Sequence, residues 1–343
     1  MEQQDILSMT LPELQAAVQK LSEPKFRAKQ IFNWLHQKRV TDFSEMTTLS
    51  LPFRERLASD FCINRLKIAK RLASSVDDTV KYLYELPDGN YVETVCMQYH
   101  HGTSLCISTQ VGCRMGCRFC ASAIAGFVRN LTPAEMLLQI YETERAQNCK
   151  ISSLVLMGIG EPLDNFDNVL RFLQLLSDPN GYGMSLRHVT VSTCGVVPKI
   201  LELAEQRLGL TLSVSLHCPN DAGRSAIMPI NRSYPIDVLL DACQTYFEKT
   251  GRRVTFEYAV MDQVNSAEQD AAALAERLKG LHAHVNLIPI NPVKERNFHT
   301  LKKTVLQFQK TLERYGIPAT IRRTLGSDIE AACGQLRRDA IQK

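Results

Sequence analysis

From residue 103 onward one pattern repeats: a short apolar run, a polar loop, then an amphipathic helical stretch. The apolar runs fall at 105–108, 154–157, 188–192, 210–216, 253–260 and 284–290. The helical stretches follow at about 132–148, 169–176, 199–206, 235–249, 267–279 and 300–315. A capping box, Thr132-Pro-Ala-Glu135, opens the first, and Gly316 stops the last. A helix after each strand carries the chain back to the same end of the sheet. Six such units therefore demand a parallel sheet with right-handed crossovers. About 240 residues and six units fall short of a closed eight-unit barrel. The count alone leaves an open doubly wound sheet and a partial barrel both standing.

Three divisions follow: 1–75, 76–102 and 103–343. Residues 1–75 read as a small helical domain that binds RNA. Thr10-Leu-Pro-Glu13 is a capping box opening a helix to Leu21. A second helix over 25–38 puts Phe26, Ile31, Trp34 and Leu35 on an apolar face and carries Lys25, Arg27, Lys29, Lys38 and Arg39. That charge is either a solvated flank or a grip on RNA phosphates. Residues 76–102 read as a β-hairpin, 79–86 and 91–99, around the turn Pro87-Asp-Gly-Asn90. Glu93 shares a face with Tyr91, Val95 and Met97. It is either a proton acceptor with a raised pKa in apolar surroundings, or an edge-strand carboxylate reaching solvent.

The 45% hydrophobic content of 343 residues suffices for a large core, and the +4 net charge permits nucleic-acid binding without demanding it. No apolar run is long enough to span a membrane. The start of the chain has no apolar signal core, and the 11 Cys are odd in number. A reducing cytoplasm fits better than a disulfide scaffold.

Cys113, Cys117 and Cys120 form a Cys-x3-Cys-x2-Cys run in a glycine-containing loop. Structural zinc and iron–sulfur clusters usually take four protein ligands. Three in one tight loop point to a metal centre with an open position. Other polar residues gather just after the strand ends: Gly158-Ile-Gly160-Glu161-Pro162, Ser192-Thr-Cys-Gly195, Ser215-Leu-His217 and Asn291-Pro292. Singly they are tight turns, strand-end hydroxyls or a loop histidine. Together they mark the carboxyl-end rim, where parallel α/β folds carry their sites. A glycine-bounded tail, 326–336, carries Cys333 between Arg322-Arg323 and Arg337-Arg338. Its thiol is either a nucleophile activated by basic surroundings or a small buried residue.

These segments resemble the RlmN/Cfr family of radical SAM RNA methyltransferases, and most resemble its adenine-C2 branch. The likeness is carried by Val92-Glu-Thr94, the run from Cys106 to Cys120, Met157 to Pro162, Ser192 to Pro198, Ser215 to His217, Met228-Pro-Ile-Asn231, His284 to Asn291 and Asp328 to Leu336. It implies a partial (β/α)6 barrel. It implies one [4Fe–4S] cluster per chain on Cys113, Cys117 and Cys120, and two S-adenosylmethionine molecules per turnover. Gly160, Glu161, Ser192, Ser215, Leu216, His217 and Asn291 match cofactor-binding positions. In the implied chemistry Cys333 takes a methyl group and is converted to a methylene radical that adds to adenine C2. Glu93 accepts the C2 proton. Cys106 then attacks the Cys333 sulfur, leaving a transient disulfide. The implied partners are large-subunit ribosomal RNA, transfer RNA in some members, and a one-electron reductant such as a flavodoxin. A monomer is expected. The C8-methylating, Cfr-like branch shares the same cysteines, and motifs do not separate the two. One departure is Cys194, where the family commonly has Ser; it and Cys218 are expected as small fillers near the cofactor rim.

Overall fold

The computed structural model describes residues 3–124, 126–290 and 298–329 together with Arg337 and Ala340. At the start, β1 (Gln4–Asp5) precedes α1 (Leu11–Lys20), α2 (Phe26–Asn33) and α3 (Leu51–Asp60), and β2 (Phe61–Cys62) returns to pair in parallel with β1. The expected capping box opens α1: the Thr10 N–H donates to Glu13 Oε2 at 2.8 Å. Helix α2 continues into a π-helical turn, Trp34–Lys38, ended by Arg39 at φ 56°. Its inward face is Ala28, Ile31, Phe32 and Leu35, whereas Phe26, expected on that face, is 58% exposed. At ~100° per residue Phe26 lies roughly 140° around the helix from Ile31, so the two cannot share a stripe.

The stretch read as helical to 75 instead ends in a strand, β3 (Lys67–Ala73), which pairs antiparallel with β4 (Val80–Glu85). Lys, Arg, Ala and Leu are good helix formers, and only Leu72 is partly covered. Pairing with β4 overrides that propensity. The expected hairpin is present as β4 and β5 (Tyr91–Tyr99). Its turn closes through Gly89 at φ 79°, a value glycine takes without strain. Next, β6 (Gly102–Cys106) pairs antiparallel with β5. A small ribbon follows, β7 (Gln110–Gly112) with β8 (Phe127–Asn130).

The repeats then run α4 (Pro133–Gln147), β9 (Ile151–Leu156), α5 (Phe166–Ser177), β10 (Val189–Thr193), α6 (Val197–Glu205), β11 (Thr211–Ser215), α7 (Asp221–Ile227), α8 (Ile236–Thr250), β12 (Val254–Val260), α9 (Glu268–Leu278), β13 (Ala283–Pro289), α10 (Lys302–Arg314) and β14 (Ala319–Ile321). Among the described residues ten strands form one sheet, in the order β14-β13-β12-β11-β10-β9-β6-β5-β4-β3. Strands β6 and β9 through β14 are parallel, each beside its successor in the chain. This is the expected six-unit β/α architecture, widened on one side by antiparallel strands. The seventh parallel strand, β14, is three residues long, too short for its pattern to stand out.

Helix α4 is buried on almost every side, because the N-terminal helices cover the face turned away from the sheet. His36 joins the two layers: it is buried, with Nδ1 2.9 Å from the Tyr141 hydroxyl. Arg39 adds an ion pair to Glu144. A second buried polar contact crosses the hairpin. Lys81 Nζ on β4 lies 2.9 Å from Glu93 Oε2 on β5, and both side chains are shut from solvent.

Two outcomes are expected. Burial pushes the His36 pKa down to about 4. An unfolded imidazole, with a pKa near 6.5, takes up a proton that the native one refuses. The stability is thus present above about pH 6.5 and lost as pH falls toward 4, on the order of 3 kcal/mol. Urea melts of His36→Gln should show a flatter decline over that window; an unchanged decline would assign it to other groups. Lys81→Met strands a buried carboxylate and should lower the unfolding free energy by about 3–5 kcal/mol. A urea midpoint equal to the parent's would contradict this.

Candidate active site

The cysteine loop is clipped at its base. Strands β7 and β8 bring its two ends together, and the Cys113 N–H donates to Gly126 O at 3.2 Å. Gly112, at φ 79°, has no room for a side chain: a Cβ would stand 1.7 Å from Gly126 O. The far side of the loop is tied down by Arg118, whose N–H donates to Ile227 O at the end of α7, at 2.9 Å. Inside it, the Cys120 N–H donates to Cys117 O at 3.2 Å.

The loop opens onto a cavity of about 330 Å³ at the carboxyl ends of the parallel strands. Cys113, Cys117, Cys120, Cys106, Gly160, Glu161, Ser192, Ser215 and His217 all line it, as does Cys194. The separate segments singled out in the sequence are thus brought to one place. Leu216 is the exception: its side chain packs in the main core, and only its backbone belongs to the rim, with N–H donating to Glu257 O at 3.0 Å. Asn291 and Cys333 lie outside the described residues. Cys218 and Cys194 are both buried and share an apolar cluster with Cys117 beside the loop.

Glu161 is fully buried, and its carboxylate is spent on the backbone. Oε2 accepts the Cys194 N–H at 2.7 Å and Oε1 the Leu163 N–H at 3.0 Å. Burial nevertheless raises its pKa. Gly158 and Gly160 allow the turn after β9 to pass beside the strand-end backbone. A Cβ on Gly158 would meet Ile107 O at 2.6 Å, and one on Gly160 the Gln110 N at 2.8 Å. His217 sits at φ 57° with Nδ1 accepting the Ala259 N–H at 2.9 Å. Burial and the Arg224 charge push its pKa down to about 3. It is therefore neutral, with its proton on Nε2, the nitrogen not bonded to Ala259.

Glu93 is not at a solvent edge: β5 lies between β4 and β6, and the residue is 1% exposed. Besides Lys81 it binds the tail, since the Arg337 N–H donates to Glu93 Oε1 at 2.7 Å. Its own carbonyl accepts from Ser108 Oγ at 2.7 Å, and Ser108 is in turn gripped by Gln139 of α4. Val95 and Met97 follow Glu93 on the same strand face, Val95 pairs with Cys106, and all three line the cavity. Glu93 stands one step behind that wall. Arg337, expected as part of a basic flank, is 2% exposed and so is not a surface cation. Arg322 and Arg323 are exposed at the cavity mouth.

Two residues escaped sequence reasoning. Glu257 lines the cavity, held by Ser213 Oγ at 2.7 Å and Asn286 Nδ2 at 2.8 Å. A carboxylate inside the run Val-Thr-Phe-Glu-Tyr-Ala-Val could have signalled it, as the same logic signalled Glu93. Arg224 is wholly buried behind the strand ends, and nothing in its own segment announces that.

Burial pushes the Cys113 thiol up to about 12 and Cys117 higher still, with the charge of the neighbouring cysteines opposing ionisation as well. The three thiols are close enough to feel one another, yet among the described residues no three Cys, His, Asp or Glu side chains form a metal-holding group. Three soft thiols lining one cavity beside Met115, Phe119 and Met228 are donors of the kind an iron–sulfur cluster takes.

Comparison with known proteins agrees. Residues 4–63 match the Ribosomal RNA large subunit methyltransferase N-terminal domain, and residues 107–275 match the Radical SAM superfamily. The chain is 50% identical over 346 residues to a probable dual-specificity RNA methyltransferase RlmN of Lachnoclostridium phytofermentans, covering 100% of this chain and 96% of that one. It is 50% identical over 343 residues to that of Alkaliphilus oremlandii, with 100% of both chains covered. The crystal structure of a radical SAM methyltransferase from Sphaerobacter thermophilus superposes with a TM-score of 0.92 at 40% identity, over 97% of this chain and 98% of that one. Family models, full-length relatives and fold coincide, and the chain belongs to the RlmN family of radical SAM RNA methyltransferases.

Proposed function

We propose that this enzyme methylates C2 of an adenine in large-subunit ribosomal RNA and of an adenosine next to the anticodon in transfer RNA. The carrying observation is that Cys106 shares one cavity with Cys113, Cys117 and Cys120, while Glu93 stands on the same strand face as that wall. Adenine C2 is electron-poor and does not attack a sulfonium methyl, so an ordinary methyl transfer is closed. A [4Fe–4S] cluster on Cys113, Cys117 and Cys120 would supply the one-electron reduction of S-adenosylmethionine that makes a carbon radical available.

The chain's own residues do the rest. Gly160, Glu161, Ser192, Ser215, Leu216, His217 and Asn291 hold S-adenosylmethionine, two molecules per turnover. Glu161 and Leu216 contribute backbone, since their side chains are engaged elsewhere. The His217 Nε2–H is a fixed donor. Cys333 carries the one-carbon unit as an S-methylcysteine. Arg337, four residues on in the chain, is anchored to Glu93 through its backbone N–H. Glu93 accepts the C2 proton. The Cys106 thiolate attacks the Cys333 sulfur and a disulfide forms; the carbon–sulfur bond breaks with its electron pair going to the base-bound carbon, which takes a proton and becomes the methyl group. Such a cycle needs a reducing cytoplasm. A flavodoxin-type donor supplies electrons, and a single chain is the working unit.

An RNA-facing surface is offered by α2. Phe26, Lys25 and Lys29 are all exposed there, and the Arg27 guanidinium lies 5.0 Å from the Phe26 ring centre. Exposed aromatic and basic groups together suit base stacking and phosphate attraction.

The test is to incubate anaerobic, cluster-loaded enzyme with ribosomal RNA fragments and identify the nucleoside by mass against standards. 2-Methyladenosine is expected; 8-methyladenosine would assign the Cfr-like reaction instead. Cys106→Ala should accumulate RNA joined covalently to Cys333, and clean turnover by it would remove Cys106 from the release step. Charge reversal of Lys25, Arg27 and Lys29 should weaken RNA binding and make the slope of log affinity against log salt shallower by about 2. An unchanged slope would place the RNA elsewhere.

A further inference from the structure

Helix α7 carries Arg224 into the interior, and no part of it reaches solvent. Its guanidinium donates to four oxygens, all uncharged: Cys194 O at 2.6 Å, Ser215 O at 3.0 Å, Leu216 O at 3.2 Å and Asn231 Oδ1 at 2.9 Å. Among the described residues no carboxylate forms an ion pair with it. Asp221 stands at one remove, joined through the Asn231 amide, which donates to Asp221 Oδ1 at 2.9 Å. Glu161 stands on the other side of Cys194, accepting that residue's N–H while Arg224 donates to its carbonyl. Buried charges are normally paired, because leaving water without an opposite charge is unfavourable. A buried cation whose bonding partners are all neutral implies an anion that arrives with something bound.

The surroundings say where. Arg224 holds the carbonyl of Cys194, and Cys194 packs against Cys117. The guanidinium lies within electrostatic reach of Cys194 and Cys117, so a negative charge brought to either sulfur acts on it. The end of α7 grips the cysteine loop itself, through the Arg118 N–H and Ile227 O. One short helix therefore fixes both the loop and the charge behind it.

We propose that Arg224 is the buried counter-charge of the cluster borne by Cys113, Cys117 and Cys120, a positioning residue that raises the cluster's reduction potential without touching RNA. The inference rests on the cluster assignment made above. Reduction adds an electron to a centre already carrying three thiolates. A fixed cation nearby favours the reduced form, and its loss disfavours it.

The measurement is an anaerobic redox titration followed by electron paramagnetic resonance, with iron and sulfide counted first. Wild-type protein that fails to hold four irons would defeat the cluster assignment and leave nothing for Arg224 to tune. Given a loaded wild type, Arg224→Lys should load and titrate close to it. Arg224→Gln should show a ratio of reduced to oxidised cluster about tenfold lower at a fixed potential, a shift of ~59 mV for a one-electron couple. Two results overturn the proposal: Arg224→Gln titrating with the wild type, or Arg224→Lys shifting as far as Arg224→Gln, which would make the forked hydrogen bonding the active property. Should Arg224→Gln not fold, Asn231→Asp combined with Asp221→Asn moves a carboxylate against the guanidinium with little change of shape. A lowered potential is expected there too, and an unchanged one overturns the idea.

Discussion

Parallel strands that end at a cavity leave backbone N–H and C=O groups with no next strand to pair with, and burial makes each one expensive. In this enzyme four buried side chains answer that demand. Glu161 takes the N–H groups of Cys194 and Leu163. Arg224 takes the carbonyls of Cys194, Ser215 and Leu216. His217 Nδ1 takes the Ala259 N–H. Asn265 takes His217 O and Ala259 O and receives the Met261 N–H. The floor of the cavity is this set of cross-braces between β9, β10, β11 and β12. Without them the rim would have to admit water or splay.

The bracing decides which atoms remain for chemistry. A motif residue such as Glu161 looks, in sequence, like a carboxylate offered to a ligand. Its oxygens are instead committed to backbone, one to the turn after β10 and one to its own turn after β9, so what it leaves to the cavity is mainly backbone. His217 is restricted in the same way: one nitrogen is used in bracing, which fixes the tautomer and leaves a single donor. The glycines at 158 and 160 belong to the same economy of space, since a methyl group at either would push the turn off the strand ends. Rigidity at the rim and sparse, fixed polar groups are what a site handling a reactive carbon species requires, because loose side chains would offer hydrogen atoms and water to the wrong partner.

How far this could be read beforehand depended on whether a residue's role was local. The six strand–helix units were legible because periodicity and caps are local properties; Thr132 and Glu135 close their capping box as written. The cysteine loop was legible because its spacing is short. Strand β3 was not, because its residues favour a helix and only pairing with β4 makes them extended. Phe26 was misplaced because it was counted as apolar without its angular position, which lies far round the helix from Ile31. Arg224 was invisible for a stronger reason: three of its four acceptors are backbone carbonyls of other segments, at the ends of β10 and β11, and a backbone carbonyl leaves no mark in the sequence.

The antiparallel extension then acquires a purpose beyond completing a sheet. The turn after β3 holds the tail: Ser74 Oγ, Ser75 N–H and Ser75 Oγ all donate to Asp328, and Asp77 accepts the Gly326 N–H at 2.9 Å. Strand β5 holds it again, at Glu93 and Arg337. The same strand supplies Val95 and Met97 to the cavity wall and pairs with the strand that ends in Cys106. Residues more than two hundred positions apart are thereby fastened to one three-stranded patch. A barrel of β/α units has no element of its own at that place. The patch is what brings the carboxylate, the cavity-wall thiol and the two described flanks of the tail into a single frame, so that the order of chain segments and the order of chemical steps need not coincide.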